Sequence, residues 1–97
     1  MTAAAELDLA DIWDYIASEA SEPTATRFLT TLQAVFDDLR KFPRSGASRD
    51  QLAPGLRAVF RSSYAIYYRM EMKAIVIVRV LHGARDTFAL AERGEFL

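Results

Sequence analysis

The sequence predicts an α+β fold: an N-terminal helical hairpin packed on a three-stranded antiparallel sheet, followed by a short C-terminal helix. A change of pattern carries that prediction. Apolar residues recur at helical spacing as far as Leu39 and then alternate from Leu56 onward, the signatures of amphipathic helices and of strands. A chain of 97 residues suffices for one domain, spanning 1–97, with one core. With 52% hydrophobic and 26% charged residues, its composition is that of a globular protein and not of a disordered one.

Each element has its own signal. Leu9, Ile12, Trp13 and Ile16 share a helical face while Asp8, Asp11 and Asp14 lie off it, which places a first helix over about Ala3 to Ala20 and reads the aspartates as a solvated row. A Ser21-Glu22-Pro23 break follows. Pro23 suits the first turn of a second helix, where its missing N–H would have no partner anyway. That helix carries the stripe Ala25, Phe28, Leu29, Leu32, Val35, Phe36 and Leu39, and Pro43 stops it. The two stripes need a cover, and a sheet must supply it. Residues 45–55 are rich in Ser, Gly and Pro and read as a loop.

Beyond that loop, Leu56, Ala58 and Phe60 alternate with Arg57, Val59 and Arg61, and Tyr64, Ile66, Tyr68 and Met70 alternate with Ala65, Tyr67 and Arg69. Ser62-Ser63 and Glu71-Met72-Lys73 are the turns of two hairpins. The third strand, Ala74 to Leu81, is apolar on both faces for most of its length, which predicts a central or doubly covered position. Tyr64 and Tyr68 share parity with Ile66 and face the helices, so Tyr67 is the exposed aromatic. Gly83 turns the chain, and Thr87 to Gly94 forms a short helix capped by Asp86 or Thr87.

Composition also limits the chemistry. The chain has no cysteine, so disulfides, thiolate zinc sites and cysteine nucleophiles are excluded, and a reducing compartment suits it. No apolar run reaches the roughly 18 residues that span a bilayer, and Met1 to Asp8 lacks the pattern of a signal peptide; a cytoplasmic protein with no membrane partner is expected. His82 is the only histidine. Without a second nitrogen or sulfur ligand no metal site is expected, and no cofactor either. His82 is left as a structural or general acid–base residue.

Charge is distributed unevenly. Residues 1–43 carry eight acids against three bases, and residues 44–97 nine bases against five acids. Arg57, Arg61, Arg69, Arg79 and Arg85 come from neighbouring strands and the turn after them. They form either an ordinary solvated face or a basic surface for an acidic partner, since the guanidinium fork suits carboxylate and phosphate.

Five ordered segments share a resemblance. Leu9-Ala10-Asp11-Ile12-Trp13-Asp14-Tyr15-Ile16-Ala17, Phe42-Pro43-Arg44-Ser45-Gly46 ("P-x-x-G"), Gly55-Leu56-Arg57 ("G-L-R"), Tyr64-Ala65-Ile66-Tyr67-Tyr68-Arg69 ("Y-x-I-x-Y-R") and Arg79-Val80-Leu81-His82-Gly83-Ala84-Arg85-Asp86 resemble, in order and spacing, the ParE/RelE toxin superfamily over residues 7–90. The resemblance implies a small cytoplasmic toxin of a type II toxin–antitoxin system, silenced by a cognate antitoxin and able to form a dimer or a heterotetramer with it. Family members begin with a strand before the first helix, whereas Met1 to Asp8 is short and alanine-rich. The resulting sheet edge is expected to borrow a partner strand or to dimerise.

The superfamily has two branches. The RelE-like branch cuts ribosome-bound mRNA with basic residues and a C-terminal Tyr or His-Tyr pair, roles that would fall here to Arg57, His82 and Arg85. Val59 and Ala65 stand where that branch places charges, and Phe88 stands near its tyrosine. The motif set instead resembles the ParE-like branch, which inhibits DNA gyrase by binding and without catalytic residues of its own. Arg57, Arg61, Tyr67, Arg69, Arg79, His82 and Arg85 are then the expected contacts with target or antitoxin. A truncated or decayed toxin that only binds antitoxin is the third possibility.

Overall fold

The computed structural model describes residues 1–83 and 85–97; Ala84, within the run from Arg79 to Asp86, lies outside the described residues. The order is α1 (Ala3–Glu19), α2 (Glu22–Lys41), β1 (Ala47–Ser48), β2 (Arg57–Arg61), β3 (Tyr64–Glu71), β4 (Ala74–His82) and α3 (Thr87–Glu92). Each helix starts at a side-chain cap. The Thr2 hydroxyl accepts from the Ala5 N–H at 3.0 Å, the Ser21 hydroxyl from Thr24 at 3.2 Å, and the Asp86 carboxylate from Ala89 at 3.1 Å. These caps pair N–H groups that the first turn leaves without intrahelical partners.

The strands form one antiparallel sheet in the order β1-β2-β3-β4. Two expectations change here. The sheet has four strands rather than three, because Ala47 and Ser48 inside the Ser/Gly/Pro-rich loop pair with Ala58 and Arg57. Two residues are too few to show a period. And β4, despite its apolar composition, is an edge strand, not a central one. Its outer side is held by the start of α1: the Thr2 N–H donates to the Ile77 carbonyl at 3.0 Å, the Thr2 hydroxyl to the Val78 carbonyl at 2.7 Å, and the Val80 N–H to the Asp8 carboxylate at 3.0 Å.

Both faces of the sheet are covered, which explains the doubly apolar β4. On one face Ile12, Leu32, Val35, Phe36 and Leu39 of the helical hairpin pack on Ile66, Tyr68, Ile77 and Val80. On the other, Leu90 and Phe96 of the C-terminal segment join Leu56, Ala58, Ala65, Tyr67, Val78 and Leu81. A bulge lets β4 serve both. Tyr67 pairs with Arg79 but Tyr68 with Ile77, so Val78 is the extra residue and the strand keeps an apolar side chain on each face through the irregularity.

Candidate functional site

The motif residues first account for the fold. Tyr68 reaches under the loop after α2, where its hydroxyl donates to the Pro43 carbonyl at 2.8 Å and accepts from the Gly46 N–H at 2.9 Å. A Cβ at residue 46 would lie 2.6 Å from that hydroxyl and 2.9 Å from the Ala58 carbonyl oxygen, so only glycine fits. Arg57 completes the joint by donating to the Gly46 carbonyl at 2.7 Å. Three segments far apart in sequence, "P-x-x-G", "G-L-R" and "Y-x-I-x-Y-R", therefore meet at one locus. Arg57 positions this loop and retains only partial exposure.

Arg79 is engaged differently. Its Nε and one terminal nitrogen donate to the two oxygens of Asp8 at 2.7 and 2.9 Å, and the other terminal nitrogen donates to Glu95 at 3.0 Å. The Arg79 side chain is 9% exposed and that of Asp8 11%. The group expected on a solvated or binding face is thus a tie between α1, the β4 bulge and the C-terminal segment. The Asp8 hydrogen bond, foremost, holds the guanidinium pKa above its ordinary value, and Arg93 chiefly, with Arg79, holds that of Glu95 below its own. Asp8 itself was expected in a solvated row. Its place three residues after the buried Ala5 and four before the buried Ile12 puts it at the border of the inner face, a signal that helical spacing does contain.

Tyr67, expected to be exposed, is 5% exposed, with its ring 4.8 Å from that of Phe96. Burial raises the pKa of its phenol. Tyr67 does lie on the face away from the helices, as alternation predicts, but Leu90 and Phe96 cover that face. The remaining arginines do not share a side. Arg57 and Arg61 pair across the ladder with Tyr68 and Tyr64 and share the helix-facing side, whereas Arg69 pairs with Val76 on the other and is bound to Glu71 at 3.0 Å.

His82 and Arg85 do come together. They line a small cavity of about 160 Å³ with Asp11, Tyr15 and Tyr64. Through Tyr15, Tyr64 and His82 it continues into a groove of about 650 Å³ that Ile16, Phe28, Ser62 and Ser63 also line. The aromatic rings are mutually packed: Phe28 and Tyr64 are 5.5 Å apart, and Tyr64 meets His82 edge-on at 5.6 Å. Desolvation, mainly, raises the Tyr64 phenol pKa. Arg57 stands elsewhere. It is opposite Tyr68, whereas His82 is opposite Tyr64, an offset of about 13 Å along the strand. With its guanidinium held by the Gly46 carbonyl, Arg57 does not line the cavity that His82 and Arg85 share. No group of three metal-ligating side chains gathers among the described residues, and no helix among them is long and apolar enough to cross a membrane.

A chain of a solved structure described as the chromosomal ParDE TA system from P. aeruginosa has the same fold: the structures superpose with a TM-score of 0.71 at 24% identity, over 84% of this chain and 89% of that one. The family model for the ParE toxin of the type II toxin–antitoxin system parDE matches residues 1–87. Toxin ParE1 of Mycobacterium tuberculosis is 31% identical over 87 residues, covering 89% of each chain. Toxin ParE3 of Caulobacter vibrioides is 32% identical over 82 residues, covering 84% of this chain and 82% of its own. The chain belongs to the ParE toxin family.

Proposed function

We propose that this protein acts in the cytoplasm as a toxin that inhibits DNA gyrase by binding it, and that a cognate antitoxin silences it by covering its surface. Membership of the ParE family carries the reading. The separation of Arg57 from His82 and Arg85 along the sheet supports it over RNA cleavage, which needs its base, acid and phosphate-binding groups around one bond. Arg61, His82 and Arg85, exposed at the Tyr64 end of the sheet, are the proposed contacts.

A gyrase supercoiling assay run beside primer extension on translating ribosomes tests the proposal. Inhibition in the first with no cleavage in the second is expected. Cleavage with no effect on gyrase refutes the reading, and silence in both while antitoxin still binds points to a decayed toxin.

A further inference from the structure

An exposed apolar surface lies at the end of the molecule opposite His82. There the last turn of α2, the loop that follows it and the β3–β4 turn come together. Pro43 belongs both to the Lys41–Ser45 surface and to a groove of about 530 Å³ lined by Arg40, Met70, Lys73, Ala74 and Ile75, a size that receives one or two large side chains. Around it Phe42 is 66% exposed, Met70 43% and Met72 101%. Met70 lines the groove, and Phe42 and Met72 adjoin its lining residues Pro43 and Lys73 in the chain; isolated exposed apolar residues are ordinary, but three at one end of the molecule mark a contact surface.

The turn adds a second observation. Glu71 pairs with Ala74, which leaves Met72 and Lys73 as a two-residue hairpin loop with φ of 47° and 69°. Such loops favour Asn and Gly, because other side chains in the left-handed region are strained. Here the turn holds a methionine in that region and presents its whole side chain to water. Local stability explains neither feature, whereas a flexible, polarizable anchor for a partner explains both.

Charge identifies the partner. Of the acids nearest this end, Asp37 is paired with Arg40 and Glu71 with Arg69, which leaves Asp38 outside the ion pairs. Lys41, Arg44 and Lys73 are exposed and have no carboxylate partner among the described residues. We propose that this end is where the antitoxin docks, with an amphipathic segment that carries acidic side chains around an apolar anchor seated between Pro43 and Met70. The inference rests on the reading that an antitoxin silences the protein, and it moves the basic docking surface from the middle of the strands to this end.

The test titrates the cognate antitoxin into the whole toxin by calorimetry. Wild type, Phe42→Ser/Met72→Ser, Arg44→Glu/Lys73→Glu and a control, Arg27→Glu, are compared, each also assayed for gyrase inhibition. Both double variants are expected to bind the antitoxin at least tenfold more weakly, the control within twofold of wild type, and all to inhibit gyrase. The charge pair's loss should also shrink at high salt. Less than a tenfold loss in either double variant overturns the proposal, as does lost gyrase inhibition with antitoxin affinity intact, which assigns the surface to the target. Amide exchange on the unaltered proteins gives a check that does not depend on variant folding: 41–46 and 70–74 should gain protection in the complex, and no gain there also overturns it. If wild-type toxin does not bind the antitoxin at all, it is the functional reading that fails.

Discussion

Asp8→Ala is expected to be among the most destabilising single changes in the chain. The Asp8 carboxylate accepts two bonds from Arg79, at 2.7 and 2.9 Å, and one from the Val80 N–H at 3.0 Å, with both side chains about nine-tenths buried. Its removal leaves a buried guanidinium with one remaining partner and the Val80 backbone donor on the outer side of β4 with none. Breaking a buried pair from one side costs about 3 to 5 kcal/mol. Glu95, still 3.0 Å from Arg79 and 35% exposed, keeps part of the compensation and admits water, so the lower end of about 3 kcal/mol is expected. For a domain of this size that lowers the thermal midpoint by about 12 to 24 °C.

Thermal and urea unfolding followed by circular dichroism measure this directly. The partner variant separates pairing from burial: Asp8→Leu/Arg79→Met removes both charges together and should recover at least half of the loss, because apolar replacement of a whole buried pair is often neutral. A loss under about 1 kcal/mol for Asp8→Ala would match an exposed ion pair and would refute the assignment of this group as a buried tie. So would a double variant no more stable than the single one.

Three further outcomes are expected. Gly46→Ala, whose Cβ would lie 2.6 Å from the Tyr68 hydroxyl and 2.9 Å from a backbone oxygen, should lose about 1 to 3 kcal/mol by overpacking, read as a lower urea midpoint; an unchanged midpoint would mean that the loop yields. Phe96→Ala should cost about 3 to 5 kcal/mol for truncation of a core aromatic and make the Tyr67 ring accessible to a nitration reagent; continued protection of Tyr67 would show that the tail is not its cover. Acid stability should follow Asp50 and Glu95, whose folded pKa values lie below their ordinary 3.8 and 4.5, Asp50 chiefly through the Gly55 N–H. Depressed values mean that their contribution is complete above about pH 5 and is lost as the pH falls through the folded values, so Asp50→Asn and Glu95→Gln should flatten the acid limb of a midpoint-versus-pH curve.

The helices were legible because their information is local. The stripe from Ala25 to Leu39, the break at Ser21-Glu22-Pro23 and the stop at Pro43 each act within a few residues, and α2 spans Glu22–Lys41. The alternation of β2 and β3 was equally readable, including the placement of Tyr64 and Tyr68 under the helices. What pattern could not supply was what covers what. Tyr67 was assigned the correct face and the wrong environment, since its cover comes from Phe96, far along the chain. The apolar run in β4 suggested a central strand because coverage on both faces and a central place in the order produce the same composition; here a hairpin on one side and a tail on the other cover an edge strand.

The same distinction bears on how the motifs relate to activity. A distributed set of motif residues invites the reading that they form a site. In this chain Gly46, Arg57 and Tyr68 hold a loop to a strand, and Arg79 ties three segments with Asp8 and Glu95. A buried arginine whose three nitrogens each donate to a carboxylate inside the fold has no free fork to offer a phosphate or a carboxylate. An inhibitor that works by binding needs no fixed constellation of reacting groups, only a rigid frame and complementary surfaces. Its motif residues can therefore be those that build the frame, which leaves Arg61, Arg85 and Met72, exposed at its two ends, as the groups proposed for recognition.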